Sequence, residues 1–333
     1  MTDYQRYARD ALNAASGQTF VASGIEYILG GKVGDGAIGV VRRASVRDTQ
    51  HPYAVKFLAP EPKYIEESSF EDIHARFRRE GERGAALSHA HLSKVYAYED
   101  NENAANFRDG TGPCNPFLVM EFVQGTTLEH FLQGQRAAGP KINVTRKTLH
   151  IARAVASALK YLHVRGIVHR DVKPANVFFT RSFGDARPSI VKLGDFGVVK
   201  WGDFKASLTT GTLTVTGQQG LGTWKYMSPE HALEPKDVEV RSDMYSFGIT
   251  LFELFTNQIL PSPFHVFRLT QQRSQRGTVV SRLYELGLGP LDGQYHDLFE
   301  SIYDCFLTAP KSRPSSTQME GKLGYLLEQM EAD

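Results

Sequence analysis

The densest chemistry in the chain lies in His169-Arg170-Asp171-Val172-Lys173-Pro174-Ala175-Asn176. One short loop supplies a carboxylate, an ammonium group and a primary amide. Asp171 can accept the proton of an attacking hydroxyl. Lys173 can neutralise a phosphoryl group in transit, and Asn176 offers an amide oxygen to a hard cation. This ordered combination of residue types rarely arises by chance. Asp195-Phe196-Gly197 follows a short apolar strand, Val191-Lys192-Leu193, and places a second, charged oxygen ligand for such a cation at Asp195. That tripeptide alone is common and carries little weight.

Two more sites lie upstream. Gly34-Asp35-Gly36-Ala37-Ile38-Gly39-Val40-Val41 places Gly34, Gly36 and Gly39 between two strand patterns. Glycines there let the backbone approach phosphate oxygens and present amide donors. The same string opens dinucleotide-binding folds, in which a helix follows the glycines. Here Val40, Val41, Ala44 and Val46 continue as a strand, and a purely structural hairpin is the plain alternative. Lys56 sits inside the apolar strand Tyr53–Leu58. Its ammonium group is either a cation paired with a carboxylate or an edge lysine reaching solvent. Glu80, in the helical run Phe70–Leu87, is the candidate carboxylate, although taken alone it reads as a solvated helix residue.

The elements that must position these groups follow from periodicity. Ile25–Val46 reads as strand, glycine-rich turn, strand. Tyr53–Leu58, Val95–Tyr98 and Phe117–Phe122 read as further strands, and Phe70–Leu87 as the one main helix among them. After Gly125 the pattern turns helical: Leu128–Gln133, Thr145–His163, Ser242–Phe255, Tyr295–Leu307 and Ser315–Met330, with short strands at Val177–Phe179 and Val191–Leu193. The expectation is an α+β, bilobal chain. Residues 1–24 form a helical extension, 25–121 a strand-rich lobe, 121–125 a hinge beside a small-molecule cleft, and 126–330 a helical lobe. Glu99–Pro116, polar and Asn-rich, and Lys200–Gly222, rich in Thr and Gly, are long loops.

In this order, the motifs resemble those of the protein kinase family over roughly Ile25 to Met330. Gly222-Thr223-Trp224-Lys225-Tyr226-Met227-Ser228-Pro229-Glu230 looks like that family's substrate loop. Asp243, and Arg313 in Lys311-Ser312-Arg313-Pro314, complete the set. The resemblance implies an eukaryotic-like serine/threonine protein kinase, closer to bacterial or phage members than to animal ones. It implies ATP and Mg²⁺, with Mn²⁺ as an alternative ion, and protein substrates. Gly34, Gly36 and Gly39 would cover the triphosphate, and Lys56, paired with Glu80, would hold its α- and β-phosphates. Asn176 and Asp195 would bind the metal, and Asp171, helped by Lys173, would activate the hydroxyl. The Glu121 carbonyl and Val123 amide would pair with adenine, Met120 would back the pocket, and Val41, Ala54 and Phe178 would enclose the ring. Glu230 and Arg313 would form a structural ion pair, and Asp243 would anchor the His169–Arg170 backbone. Lys173 with Thr223 points to the serine/threonine branch.

The same resemblance raises expectations about regulation. Arg170 often pairs with a phosphate in this family, and Thr214 and Thr216 are the candidate autophosphorylation sites. Gly84, one turn after Glu80, replaces the usual larger apolar side chain and lowers helix stability by about 1 kcal/mol. An easily displaced helix is therefore expected, one that needs a partner or the N-terminal extension to sit correctly. Ala175 gives no reason to expect an arginine-directed substrate. No lysine, metal ligand or catalytic aspartate is missing, which argues against an inactive scaffold. A small-molecule kinase would not be expected to carry the Gly222–Glu230 loop.

Bulk composition narrows the remaining classes. The chain has 333 residues, 41% hydrophobic, with 38 basic and 37 acidic side chains and a formal net charge of +1. That balance implies no sequence-independent attraction to nucleic acid or anionic lipid. Cys114 and Cys305 are too few for a disulfide framework and fit no zinc spacing. No signal peptide or membrane anchor is apparent, so a cytoplasmic location is expected. Self-association or a regulatory partner would act through the amphipathic spacing of Tyr4, Tyr7, Ala8 and Leu12.

Overall fold

The computed structural model describes residues 16–36, 38–47, 49, 51–61, 69–101, 106–107, 115–137, 139, 141–181, 190–195, 225–233, 238–259, 295–307 and 309–332. These residues divide into two compact units, one of 16–89 and 93–123, the other of 90–92 and 124–332.

The first unit is built on a six-stranded antiparallel sheet: β1 (Thr19–Ala22), β2 (Ile25–Gly36), β3 (Gly39–Val46), β4 (Pro52–Leu58), β5 (Val95–Glu99) and β6 (Phe117–Glu121), in the order β1-β2-β3-β4-β6-β5. The register of β3, β4 and β6 pairs Val41 with Lys56, Ala54 with Met120 and Lys56 with Leu118. Directly paired residues point to the same side, so Val41, Ala54, Lys56 and Met120 share one face. The opposite face carries Phe20, Tyr27, Leu29, Val55, Phe57, Phe107 and Phe117 in a single aromatic-rich core.

The strand β1 corrects the expectation that residues 1–24 form a helical extension. Thr19-Phe20-Val21 is rich in strand-forming types. Ala22 pairs directly with Ile25 across the two-residue turn Ser23-Gly24, both with positive φ, 47° and 78°. That is the turn geometry whose twist matches a hairpin, and it is the reason glycine stands at 24. The helix expected around Tyr4–Ala15 lies outside the described residues.

The described residues of the Glu99–Pro116 loop are tied to this sheet. Asn106 exchanges hydrogen bonds with Val21, the Asn101 amide donates to the Asn115 carbonyl, and the Asn115 amide donates to the Leu58 carbonyl at 2.7 Å. Phe107 pairs with Phe20 and enters the core. The asparagines act as backbone substitutes where the ladder ends.

Helix α1 (Phe70–Ala85) packs on the Lys56 face through Ile73 and Phe77, against Leu58 and Leu118. Ser69 caps it by accepting from the Asp72 amide at 3.1 Å. Its last carbonyl, Ala85, and that of Leu87 just beyond it accept from Lys94 Nζ.

The second unit contains α2 (Leu128–Arg136), α3 (Arg146–His163), the hairpin β7 (Val177–Phe179) and β8 (Val191–Leu193), α4 (Pro229–Leu233), α5 (Val240–Thr256), α6 (His296–Asp304) and α7 (Ser316–Ala332). A capping box between Thr145 and Thr148 starts α3, whose apolar stripe is buried. Nearly every residue of α5 is buried, so this helix is the unit's central post. It ends at Asn257, which takes the left-handed conformation.

Candidate active site

In the first unit, β4 presents Lys56 and α1 presents Glu80. Lys56 Nζ lies 3.4 Å from Glu80 Oε1, and both side chains are buried. A buried ammonium group is tolerated when a carboxylate accompanies it, and Glu80 stands in that position. Glu80 reaches this position because the backbone of α1 comes very close to the sheet. A Cβ on Gly81 would stand 2.4 Å from Leu118 Cδ2, and one on Gly84 would stand 2.8 Å from Val95 Cγ2. A side chain at Gly84 would therefore meet Val95, so the close approach of α1 to β5 itself calls for glycine there. The sequence could not reveal this, because it depends on the height of Val95 beneath the helix.

The glycines of the β2–β3 hairpin separate into two kinds. A Cβ on Gly39 would meet the Phe57 carbonyl oxygen at 2.6 Å, so the fold itself demands glycine there. Gly34 and Gly36 face open space and keep ordinary φ values. The chain gives no steric reason for glycine at those two positions. Close approach of a ligand to the backbone does give one. Val41, Met120, Glu121 and Val123 are half-buried and Ala54 is buried. Glu121 is held by an exchange with Lys94: its amide donates to the Lys94 carbonyl at 2.8 Å, and its carboxylate accepts from the Lys94 amide at 3.1 Å.

In the second unit, the β7–β8 register sets Val177 opposite Leu193, and the Gly194 amide donates to the Asn176 carbonyl at 2.9 Å. Asn176 and Asp195 thus leave the same end of one hairpin. The Asn176 amide group donates to the Asp171 backbone carbonyl and to Asp171 Oδ2, both at 2.8 Å, and so its amide oxygen points the other way. Lys173 Nζ lies 2.8 Å from that same Asp171 oxygen. With Asp195 this gives an all-oxygen donor set suited to a hard divalent ion. Phe178 is half-buried on β7, and Thr127 bridges to it.

The loop is fixed from behind by α5. Asp243 is buried and accepts from the backbone amides of His169 and Arg170, each at 2.7 Å, and His163 Nε2 lies 2.9 Å from it. Burial alone would raise the Asp243 carboxyl; the His163 hydrogen bond and its neighbours overcome this and hold it below the usual range. Arg170 and Asp195 take positive φ, 69° and 56°. Such strain in non-glycine residues persists only where the surroundings over-determine it. Burial pushes the His169 pKa below its usual value, against the opposing pull of nearby Asp243 and Asp171.

Arg313 donates to both oxygens of Glu230, at 2.6 and 2.8 Å, and Ser242 Oγ donates to Glu230 at 2.7 Å. This is the ion pair implied by the resemblance. Sequence reasoning missed Glu253 of α5, wholly buried, which binds Arg136, Lys225 and Tyr226. Its only signal was a charge interrupting the apolar run Tyr245–Phe255. Thr214, Thr216, Phe196 and Trp224 lie outside the described residues.

An antiparallel sheet carrying one helix with a lysine–glutamate pair, and a helical unit carrying an Asp–Lys–Asn loop, define the bilobal kinase class of fold. The chain belongs to the protein kinase domain family, which matches residues 27–322. A probable serine/threonine-protein kinase of Streptomyces coelicolor is 35% identical over 234 residues, 70% of this chain and 30% of that protein. Serine/threonine-protein kinase PknB of Mycolicibacterium smegmatis is 33% identical over 232 residues, 70% of this chain and 32% of that protein. The chain thus spans about a third of the length of these curated relatives. The crystal structure of the Mycobacterium tuberculosis PknI kinase domain matches with a TM-score of 0.60 at 24% identity, covering 94% of this chain and 99% of that one. At that identity the likeness speaks for the fold, and the expected α+β, bilobal architecture is shown. Among the described residues, no helix is long and apolar enough to cross a membrane.

Proposed function

We propose that this chain is an ATP-dependent protein kinase that transfers the γ-phosphoryl group to serine and threonine hydroxyls. The observation that carries the reading is the environment of Asp171. Its carboxylate is buried, and Lys173 and Asn176 both lie 2.8 Å from one of its oxygens. That leaves a carboxylate oriented by two neighbours and able to accept one proton.

Phosphoryl transfer demands positioning and charge stabilisation more than covalent chemistry. Lys56, kept in place by Glu80, holds the α- and β-phosphates, and the Gly34–Gly36 backbone covers the triphosphate. The family resemblance gives the adenine ring to Val41, Ala54, Met120 and Phe178, with the Glu121 carbonyl and Val123 amide as its hydrogen-bonding partners. Asp171 orients the acceptor hydroxyl and takes its proton, while Lys173 offsets the charge on the moving group. The oxygen donors Asn176 and Asp195 suit Mg²⁺, with Mn²⁺ as a substitute, which when bound neutralises the phosphate oxygens. Autophosphorylation of Thr214 or Thr216 would add roughly −2 charge for Arg170 to pair with. The N-terminal extension, residues 1–24, is the proposed contact for a regulatory partner or a second copy, and the cytoplasm is the proposed location.

Transfer of label from γ-³²P-ATP to a generic protein substrate, compared with Asp171→Ala, tests the central reading. Label in the wild type and none in the variant supports it. Equal label in both overturns it. Mass spectrometry after ATP treatment is expected to find phosphate on Thr214 or Thr216, and full activity of the double alanine variant would reject that assignment.

A further inference from the structure

Helix α1 meets the sheet through apolar contacts and, beside them, through one charged cluster. His74 and Arg78 stand one turn apart and both reach Asp100, the residue that follows β5. His74 Nε2 lies 3.0 Å from Asp100 Oδ1 and 3.1 Å from the Tyr98 hydroxyl, and Arg78 Nη2 donates to Asp100 Oδ2 at 2.7 Å. The Tyr98 hydroxyl donates to the same carboxylate. Both oxygens of Asp100 are therefore engaged. Burial opposes the charged form of Asp100, but the hydrogen bonds from Tyr98, Arg78 and His74 outweigh it and hold the carboxyl below its usual range.

Neither catalysis nor the helix's burial calls for this cluster. Ile73 and Phe77 already bury the inner face of α1. Apolar contacts, however, tolerate sliding and rotation about the helix axis, whereas charged hydrogen bonds to a fixed carboxylate resist both. The connection to the lysine is short. Tyr98 carries the hydroxyl of the cluster, and its ring lies edge-on to Phe77, with centroids 6.1 Å apart. Tyr98 also lies under Gly81, beside Leu118, which is the cross-strand partner of Lys56. Glu80 is the residue next to Gly81 and two past Arg78, and its 3.4 Å approach to Lys56 leaves little slack before the pair separates.

We propose that Asp100 is a positioning residue: through His74, Arg78 and Tyr98 it sets the rotation and height of α1 at which Glu80 meets Lys56, and so tunes the grip on the nucleotide's phosphates. The inference rests on the kinase reading above, and its test separates the two.

ATP KM, acceptor-protein KM, kcat and thermal stability are measured for the wild type, Asp100→Ala, Asp100→Asn and Tyr98→Phe. The same Asp100→Ala change is then made in a Glu80→Gln background. A fluorescent ATP analogue is titrated in parallel, without any need for turnover. Asp100→Ala is expected to raise ATP KM and the analogue's dissociation constant about five-fold, leaving acceptor KM unchanged, and Tyr98→Phe about two-fold. In the Glu80→Gln background the same change is expected to add less than about two-fold, because its route is already broken. Should Asp100→Ala fail to fold, the isosteric Asp100→Asn carries the same comparison. Unchanged nucleotide affinity in a folded Asp100 variant overturns the inference. So does an undiminished five-fold penalty beside Glu80→Gln. A wild type that binds nucleotide but never transfers phosphate sinks the kinase reading instead, and the titration still decides this one.

Discussion

The two units hold their charged groups by different means. In the carboxy-terminal unit, the His169–Asn176 loop is fixed to a buried aspartate on the central helix, and its Arg170 takes a conformation that non-glycine residues seldom adopt. In the amino-terminal unit, the key lysine belongs to a sheet and its carboxylate to a helix, and their meeting depends on where that helix rests. The proposed base and oxygen ligands are thus built into local backbone geometry, while the proposed phosphate-side pair is set by tertiary placement. The first arrangement should fail by losing stability. The second should fail by losing nucleotide affinity in small, graded steps.

Four substitutions can sharpen or break this contrast. The largest effect is expected for Asp243→Ala, which strips the His169 and Arg170 amides and His163 of their acceptor. Urea denaturation should show a loss of about 3–5 kcal/mol, as when one partner leaves a buried charged pair. A loss under about 1 kcal/mol would mean that the loop holds itself.

Next comes His231, whose pKa is pushed from 6.5 down to about 4, first by burial and then by Arg170. The unfolded chain binds a proton near pH 6.5, while the folded chain resists until about pH 4. Stability should therefore fall as pH drops through that window, by up to ~3 kcal/mol. Denaturation of His231→Gln between pH 7 and 4 should show a flatter slope.

Gly84→Leu follows, at about 1–3 kcal/mol of overpacking against Val95, seen as a lower melting temperature with a raised ATP KM. A stabilised Gly84→Leu would instead favour the expectation of an easily displaced helix. The smallest effect is Ser69→Ala at the start of α1, about 1 kcal/mol by denaturation. It is expected to leave the His169–Asn176 loop untouched.

Legibility from sequence divides along the same line. His169–Asn176 could be read directly because its roles fall to side chains a few residues apart, so spacing encodes geometry. β7, β8 and the long helices were legible from periodicity. Lys56 and Glu80 could be named only as candidates, since nothing in a one-dimensional string fixes how a helix lands on a sheet. The Asp100 cluster was invisible for that reason: His74, Arg78 and Asp100 are ordinary surface residues until β5 ends beside α1. Asn101, Asn106 and Asn115 read as loop composition, although they serve as ladder rungs. β1 escaped because four residues are too few to show a period, even though Ser23-Gly24 was a turn signal in plain view.

That short first strand has a practical consequence. A fragment begun at Ile25, where the recognisable motifs start, would lose Phe20 from the place where the rings of Tyr27, Phe107 and Phe117 converge. It would also leave β2 as a bare sheet margin with unpaired amides and carbonyls, ready to recruit another chain. Such a fragment should aggregate on concentration, while one begun at Ser16 should remain monodisperse.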